Sequence, residues 1–173
     1  MLRAMLAVGT VIMVAITLAV GDARAWRIAP AAQLRGEVRT EINRVRAGYG
    51  FAPLRASGPL RQAAAQHVYE MSVLGYFSHG SPNRPSFADR LALYYPPLGN
   101  APWQVGEVLL WWAPPMQART VVQLWLDSPS HRRVLLDPRF REAGIAAVLA
   151  GPAGGVFGGR RVTLVAADFG FRG

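Results

Sequence analysis

The pattern of apolar positions predicts an amphipathic helix near the start of the chain, over residues 32–47. Its apolar residues recur at spacings of four, four and three and therefore share one helical face: Leu34, Val38, Ile42 and Val45. The helix is expected to end at residues 48–50, where glycine can adopt the left-handed cap conformation.

Two more helices follow in the pattern. Ser57 and Gly58-Pro59 precede a helix predicted over residues 60–74, because proline fits the first helical turn, where its missing N–H has no partner. Its buried side is expected to be formed by Leu60, Ala64, Val68 and Met71, or by the neighbouring Ala63, His67 and Met71. Turn residues end it at 75–82. Ser86 is a suitable N-cap for a short third helix over residues 86–94.

A strand and a fourth helix come next. Residues 105–112 are apolar apart from Gly106 and Glu107, which predicts a mostly buried strand. Residues 116–127 predict a helix that breaks at Ser128-Pro129. An irregular turn and a short helical tail, as far as residue 136, are expected after the break.

The last third of the chain has the character of a β-sheet. Residues 143–149 predict a strand, 151–159 a glycine-rich hairpin, and 161–169 a final strand with alternating side chains. Helices early and strands late, with one strand inserted between two helices, favour an α+β fold with a mainly antiparallel sheet. The sequence shows no internal repeat and no interdomain linker, so one domain is predicted.

The first 25 residues have the organisation of a signal peptide. Arg3 precedes an apolar segment over residues 4–20, and Ala23-Arg24-Ala25 is an A-x-A cleavage site. We therefore predict a signal peptide at 1–25, a mature domain at 26–173, and a periplasmic or extracellular location. The alternative is an uncleaved anchor, although the apolar segment is slightly short for a membrane span.

Composition narrows the chemistry. The 173 residues include no cysteine, which excludes thiolate metal sites and a cysteine nucleophile. The net charge is +9, and all 19 basic residues are arginine. Such a protein could attract anionic cell-wall polymer or lipid head groups. The arginines are scattered without a run of like charges, so a solvated basic surface is favoured over a dedicated polyanion site. Export also argues against nucleic acid as a partner.

Three residues are candidates for a functional cleft. His79 lies in a predicted loop, where side chains are free to face a ligand. His131 follows the helix break beside Trp125, and Glu107 lies among apolar neighbours. A neutral imidazole can bind a metal or act as a general base. We expect His79, Glu107 and His131 to line one cleft. His67, inside the second helix, is interpreted as a core histidine with a hydrogen-bond partner.

The residues alone leave several roles open for this group. A structural His–Glu hydrogen bond is as compatible with the spacing as a ligand-binding role. Two histidines and a carboxylate match the ligands of a divalent metal such as zinc, although no local metal motif is present. A Ser–His–acid triad could use Ser128 or Ser130, but it lacks a nucleophile signature.

The order of short motifs over residues 34–170 is specific. These motifs are Asn43-x-x-Arg46, Gly75-Tyr76-Phe77-Ser78-His79, Phe87-x-Asp89-Arg90, Gly106-Glu107, Trp125-Leu126-x-Ser128-Pro129-x-His131-Arg132, Gly144-Ile145 and Asp168-Phe169-Gly170. Together they resemble the bacterial, SCP-like branch of the CAP superfamily, which comprises cysteine-rich secretory proteins, antigen 5 and pathogenesis-related proteins.

The resemblance implies a three-layer α-β-α sandwich with a small, mainly antiparallel central sheet. It also implies a central cleft with two histidines and one or two acids, which sometimes holds a divalent metal. By motif position, His79 and His131 are the histidines and Glu107 is the glutamate. Ser128 stands where the family has its second acid, and residues 162–169 lack the family's late histidine. The four-residue site of eukaryotic members is therefore not reproduced.

The function expected from the resemblance is that of an exported binding module. Its cleft, with His79, Glu107, Ser128 and His131, would hold a lipid, a cell-wall fragment or a metal. The alternative is a metal-assisted hydrolase or peptidase, with Glu107 as the candidate catalytic base and the two histidines as metal ligands. We expect a monomer that contacts lipid or cell-wall material and reaches a membrane only through an uncleaved leader.

Overall fold

The computed structural model describes residues 28–84, 86–113 and 115–173. The predicted signal peptide, with its cleavage site and the alternative of an anchor, lies outside the described residues. Within the described ranges, the helices are too short or too polar to span a membrane.

Five α-helices and five β-strands are formed by the described residues. The helices are α1 (Ala32–Gly48), α2 (Gly58–Leu74), α3 (Phe87–Ala92), α4 (Ala118–Asp127) and α5 (Pro129–Leu135). The strands are β1 (Ala29–Pro30), β2 (Arg55–Ala56), β3 (Trp103–Trp112), β4 (Glu142–Ala153) and β5 (Arg160–Arg172). The four predicted helices and three predicted long strands are confirmed, with small shifts at their ends.

One prediction about the chain after α4 is wrong. Residues 129–135 form a continuous helix rather than an irregular turn with a short tail. Ser128 has extended backbone, with ψ at 118°, and this ends α4. Pro129 then occupies the first turn of a new helix, where its fixed φ is favourable. His131 is consequently held on a helix.

The sheet is small and mainly antiparallel, as predicted. Its order is β1-β4-β5-β3, and β2 pairs with β4 in parallel. The long antiparallel pairs are β4 with β5 and β5 with β3. Strand β3 is therefore an edge strand of the sheet, paired on one side only, with β5.

Alternating side chains on the strands divide the core into two halves. Val165 and Ala167 of β5 pack in a cluster with α1 and α4, whereas Leu164 and Ala166 pack in a cluster with α2. Because successive side chains of a strand point to opposite faces, the helices cover both sides of the sheet. This is the α-β-α sandwich that the resemblance implied.

Arg46 fixes the helix that carries His131. Its side chain is buried, and its Nη1 donates to the carbonyl oxygens of Leu135 at 2.8 Å and Asp137 at 3.0 Å. A cation at the C-terminal end of a helix satisfies free carbonyls and complements the helix dipole. The end of α5 is thereby tied to α1.

Candidate functional site

The centre of the site is a hydrogen bond between a buried carboxylate and a partly exposed imidazole. Nδ1 of His79 lies 2.8 Å from Oε1 of Glu107. The side chain of Glu107 is 0% exposed, whereas that of His79 is 48% exposed. An ionised carboxylate can only accept, so Nδ1–H of His79 is the donor. The structure thus brings together two of the three residues predicted for the cleft.

Arg90 of α3 balances the charge of Glu107. The Arg90 side chain is 1% exposed, and its Nη2 donates to Oε2 of Glu107. Nη1 also donates to the carbonyl oxygen of Ala63 in α2 at 3.3 Å. A buried carboxylate is stable only with such partners. Arg90 belongs to one of the sequence motifs but was not predicted as a site residue. The signal that could have identified it was the need of Glu107 for a buried cation.

Asp168 is a second buried acid beside this pair. It is directly opposite Glu107 in the register of β3 and β5, and it is fully buried. Its Oδ2 lies 3.8 Å from Nη1 of Arg90, beyond hydrogen-bonding distance. Neither carboxyl oxygen has a hydrogen-bond partner among the described residues. Sequence analysis did not assign Asp168 to the site. The signal that could have identified it is its position, since it shares one face of β5 with the apolar Leu164 and Ala166.

The two acids are driven to different protonation states. Burial alone would raise the pKa of Glu107, but the hydrogen bond from His79 and the charge of Arg90 outweigh it and hold that pKa below its usual value. Burial raises the pKa of Asp168 well above its usual value, and the negative charge of Glu107 adds to the effect. These opposite shifts favour an ionised Glu107 beside a protonated Asp168.

We expect Asp168→Asn to remove part of the pH dependence of stability. The raised pKa means that folded Asp168 keeps a proton that the unfolded chain releases above about pH 4. Stability from this group therefore falls as the pH rises toward the folded-state pKa. Asparagine has the shape of the protonated acid and does not titrate. Thermal melting is measured from pH 4 to 8. As the pH rises, the free energy of unfolding of the variant should increase relative to that of the wild type by more than the roughly 0.5 kcal/mol of a surface substitution. A difference between the two proteins that is the same at every pH would contradict a protonated Asp168.

His131 lies on α5, near but not bonded to the pair. It is half-buried, and burial lowers its pKa, with the nearby His79 ring acting in the same direction. No hydrogen bond or ion pair joins His131 to Glu107 among the described residues. A cleft shared by all three residues stays a prediction.

Ser128 does not form a triad. Its Oγ lies 3.1 Å from Oγ of Ser130, and it occupies the N-cap position of α5. The imidazole bonded to Glu107 is that of His79, and not that of His131. The Ser–His–acid triad that the sequence left open as an alternative is therefore not assembled. A serine before proline at a helix start acts here as a turn residue.

The residues at the centre do not fit a three-ligand metal site. Both carboxylate oxygens of Glu107 are already engaged, one by His79 and one by Arg90. Across the described parts of the chain, no group of three or more His, Asp or Glu side chains is placed to hold a metal ion. The two-histidine, one-carboxylate arrangement is thus not formed. Metal binding by His79 and His131 alone stays a prediction.

His67 is a core histidine, as its sequence context suggested. It is fully buried, and its Nε2 lies 2.8 Å from the carbonyl oxygen of Ser78. Burial and the charge of Arg90 lower its pKa. Ser81 joins this histidine to Glu70, because its Oγ lies 3.5 Å from Nδ1 of His67 and donates to Oε2 of Glu70 at 2.8 Å. These bonds fix the loop on both sides of His79.

Comparisons with known proteins agree with the fold. The sequence profile of the cysteine-rich secretory protein family, CAP, matches residues 39–163. No curated protein sequence matches the chain. Among solved structures, an outer surface protein from Borrelia burgdorferi is similar, with a TM-score of 0.69 and 17% identity over 86% of this chain and 100% of that one.

Two longer bacterial proteins share the fold. An extracellular protein with an SCP domain from Bacillus anthracis str. Ames has a TM-score of 0.62 and 23% identity over 82% of this chain and 41% of that one. A cysteine-rich secretory protein from Staphylococcus aureus has a TM-score of 0.51 and 18% identity over 80% of this chain and 38% of that one. At these identities the likeness establishes the fold alone.

Proposed function

Since the chain belongs to the cysteine-rich secretory protein (CAP) family, with a domain of the bacterial SCP type, we propose that it binds a small polar fragment of the cell envelope. The binding site is the cleft at His79, Glu107 and His131. Binding takes place outside the cytoplasm. The ligand class that suits the site is a soluble piece of the cell wall, which carries sugar hydroxyls and peptide N–H groups.

The observation that carries this proposal is the unequal burial of the His–Glu pair. A pair that serves only to join two segments is best buried on both sides, because water weakens the interaction. Here the carboxylate is fully buried, and the imidazole is 48% exposed. The buried side therefore orients a side chain whose other edge is available to a ligand.

The hydrogen bond to Glu107 defines what His79 can offer. With Nδ1–H donated to the carboxylate, Nε2 of a neutral ring carries a lone pair and accepts hydrogen bonds. Among the described residues, Nε2 of His79 has no hydrogen-bond partner. A hydroxyl or an amide N–H is the complementary group. Phe87, whose ring centroid is 6.1 Å from that of His79, adds an apolar wall.

Two observations support export. Residues 1–25 have the pattern of a signal peptide. The similar solved structures include proteins named as outer surface or extracellular. The hydrolase alternative has less support, because a general base needs a free oxygen within reach of water. Both oxygens of Glu107 are engaged by His79 and Arg90 in a buried position.

Calorimetric titration of the full chain with soluble disaccharide-peptide fragments tests the proposal. We expect saturable binding that weakens about tenfold or more in His79→Ala and in His131→Ala, the loss typical of one hydrogen bond to a charged or strongly polar group. Asn83→Ala is the matched control, since Asn83 is exposed in the same loop. It should bind like the wild type.

Parallel titrations with a medium-chain fatty acid and with zinc separate the other ligands considered. Binding of the fatty acid or zinc in place of the wall fragment, with the same loss in both histidine variants, would keep the site and change the ligand class. Equal affinity of His79→Ala and the wild type for every ligand that binds would reject the cleft. The His–Glu pair would then have a structural role only.

A further inference from the structure

We propose that a second site, which lies along β4 and away from the edge strand β3, binds a phosphate group. It is a pocket of about 340 Å³ between the start of α2 and one face of α1. Three arginines line it: Arg35, Arg39 and Arg61. The remaining lining residues are apolar or small and include no Asp or Glu. We call this the arginine pocket. Its assignment is independent of the function proposed for the cleft.

The sheet provides the floor of the arginine pocket. Strand β4 pairs with β2 at Glu142 and Ala143 and with β1 at Val148 and Leu149. The pocket lies against residues 143–145, where the pairing with β2 ends and before the pairing with β1 begins. Residues of α1 and residues of α2 both line the pocket. Arg35 and Arg39 come from α1, and Arg61 comes from the first turn of α2.

The three guanidinium groups have no carboxylate partner among the described residues. The acids near them are engaged elsewhere. Glu37 accepts from Gln33, Glu41 pairs with Arg44, and Glu142 pairs with Arg55. Arg35 and Arg39 are one helical turn apart, and like charges at this spacing destabilise a helix. An anion in the pocket would reverse that effect.

Ser57 adds a donor at the base of the arginine pocket. It is 8% exposed and lines the pocket, yet its side chain makes no capping bond and has no other hydrogen-bond partner in the described structure. The N–H of Gly58 follows at the start of α2, a helix of 17 residues, where the helix dipole favours negative charge. The arginine side chains and the start of α2 therefore share the pocket with Ser57, a largely buried residue whose hydroxyl has no hydrogen-bond partner within the described structure.

The number of donors favours phosphate over carboxylate. Each arginine presents five N–H groups in a fork that matches phosphate oxygens in pairs. A carboxylate is planar, and its two oxygens accept hydrogen bonds mainly from one side. A phosphate ester has two or three free oxygens on a tetrahedral phosphorus, so donors can approach it from several directions. Three arginines from two helices surround such a centre better than they surround a planar group.

The sequence alone had favoured a solvated basic surface, because its arginines are scattered along the chain. The fold brings three of them into one pocket.

The test uses the purified full chain and glycerol 3-phosphate as the probe, with inorganic phosphate in parallel, at low ionic strength. The pocket variant is Arg35→Gln/Arg39→Gln/Arg61→Gln. The control variant is Arg84→Gln/Arg133→Gln/Arg160→Gln, which removes the same charge from exposed positions outside the pocket. We expect saturable binding that weakens about 100-fold or more in the pocket variant, because each charge-assisted bond contributes about tenfold or more. The control should weaken by less than about threefold.

Equal loss in the two variants, or no phosphate binding by the wild type, would overturn the proposal. Arg39→Gln alone guards against a folding defect, since Arg39 is exposed, and it should weaken binding about tenfold. Glycerol 3-phosphate should also raise the melting temperature of the wild type and not that of the pocket variant.

Vesicles distinguish the two sources of the phosphate. Phosphatidylglycerol and phosphatidylcholine vesicles are compared, and every protein carries the same residues 1–25, so any effect of this segment is common to all. If the pocket variant alone loses its preference for phosphatidylglycerol, and glycerol 3-phosphate competes, the lipid head group is the source. If both variants keep the preference while only the pocket variant loses glycerol 3-phosphate, the ligand is a free phosphate compound.

Discussion

Replacing Glu107 with alanine is expected to lower the free energy of unfolding by about 3 kcal/mol, because Arg90 loses its close carboxylate partner and keeps only Asp168, whose Oδ2 lies 3.8 Å from Nη1. Both side chains are at most 1% exposed, so water cannot replace the lost partner. For a domain of this size the loss corresponds to a fall in melting temperature of roughly 10 °C. Differential scanning calorimetry at pH 7 measures it. Glu37→Ala, an exposed acid on α1, is the matched control and should change little.

The double variant Glu107→Ala/Arg90→Met separates stability from binding. Removing both charges of a buried pair is often close to neutral for stability, so much of the lost stability should return. Ligand binding should not return, because His79 still lacks the carboxylate that orients it. Restored stability together with restored binding would show that Glu107 acts on the fold alone. An unchanged melting temperature in Glu107→Ala would contradict the buried ion pair itself.

Gly144→Ala is expected to be strongly destabilising although it adds only one methyl group. A Cβ at this position would lie 2.0 Å from the backbone N of Arg61 and 2.2 Å from the carbonyl carbon of Leu60. These are backbone atoms of α2, so they cannot move aside as a side chain would. The start of α2 must move away from the sheet, with a cost of about 3 kcal/mol or more.

Gly36→Ala provides the comparison for that substitution. Gly36 lies in α1, and a Cβ there would meet nothing within 4 Å. Alanine should stabilise the helix by roughly 0.5–1 kcal/mol. In urea denaturation, the midpoint of Gly144→Ala should therefore be lower than that of the wild type, and the midpoint of Gly36→Ala should be higher. Midpoints that shift equally in the two variants would mean that α2 does not pack on β4 as closely as the structure indicates.

The fold was largely predictable because its long elements have strong periodicity. The apolar spacing of α1 and α2 and the alternation in β5 correctly indicated their type. Strands β1 and β2 were missed because two residues are too few to show a period. Helix α5 was mistaken for a turn because Ser128-Pro129 both ends one helix and begins the next.

The site was only partly predictable. His79 and Glu107 were paired from their residue types and motif positions. Arg90 and Asp168 were not, because their relation to Glu107 depends on tertiary packing and on the register of β3 with β5. The arginine pocket was missed for the same reason, since the distribution of arginines along the chain does not show which of them converge in space.

The most direct test of the cleft is an NMR titration of the imidazole nitrogens in the ¹⁵N-labelled full chain with a disaccharide-peptide wall fragment. The chain has three histidines, so each can be assigned by substitution. In the free protein we expect the proton of His79 to be on Nδ1. On titration, the Nε2 signal of His79 and the signals of His131 should shift along one saturation curve, while buried His67 stays unchanged. Saturable binding that leaves both His79 and His131 unmoved would contradict the proposed site.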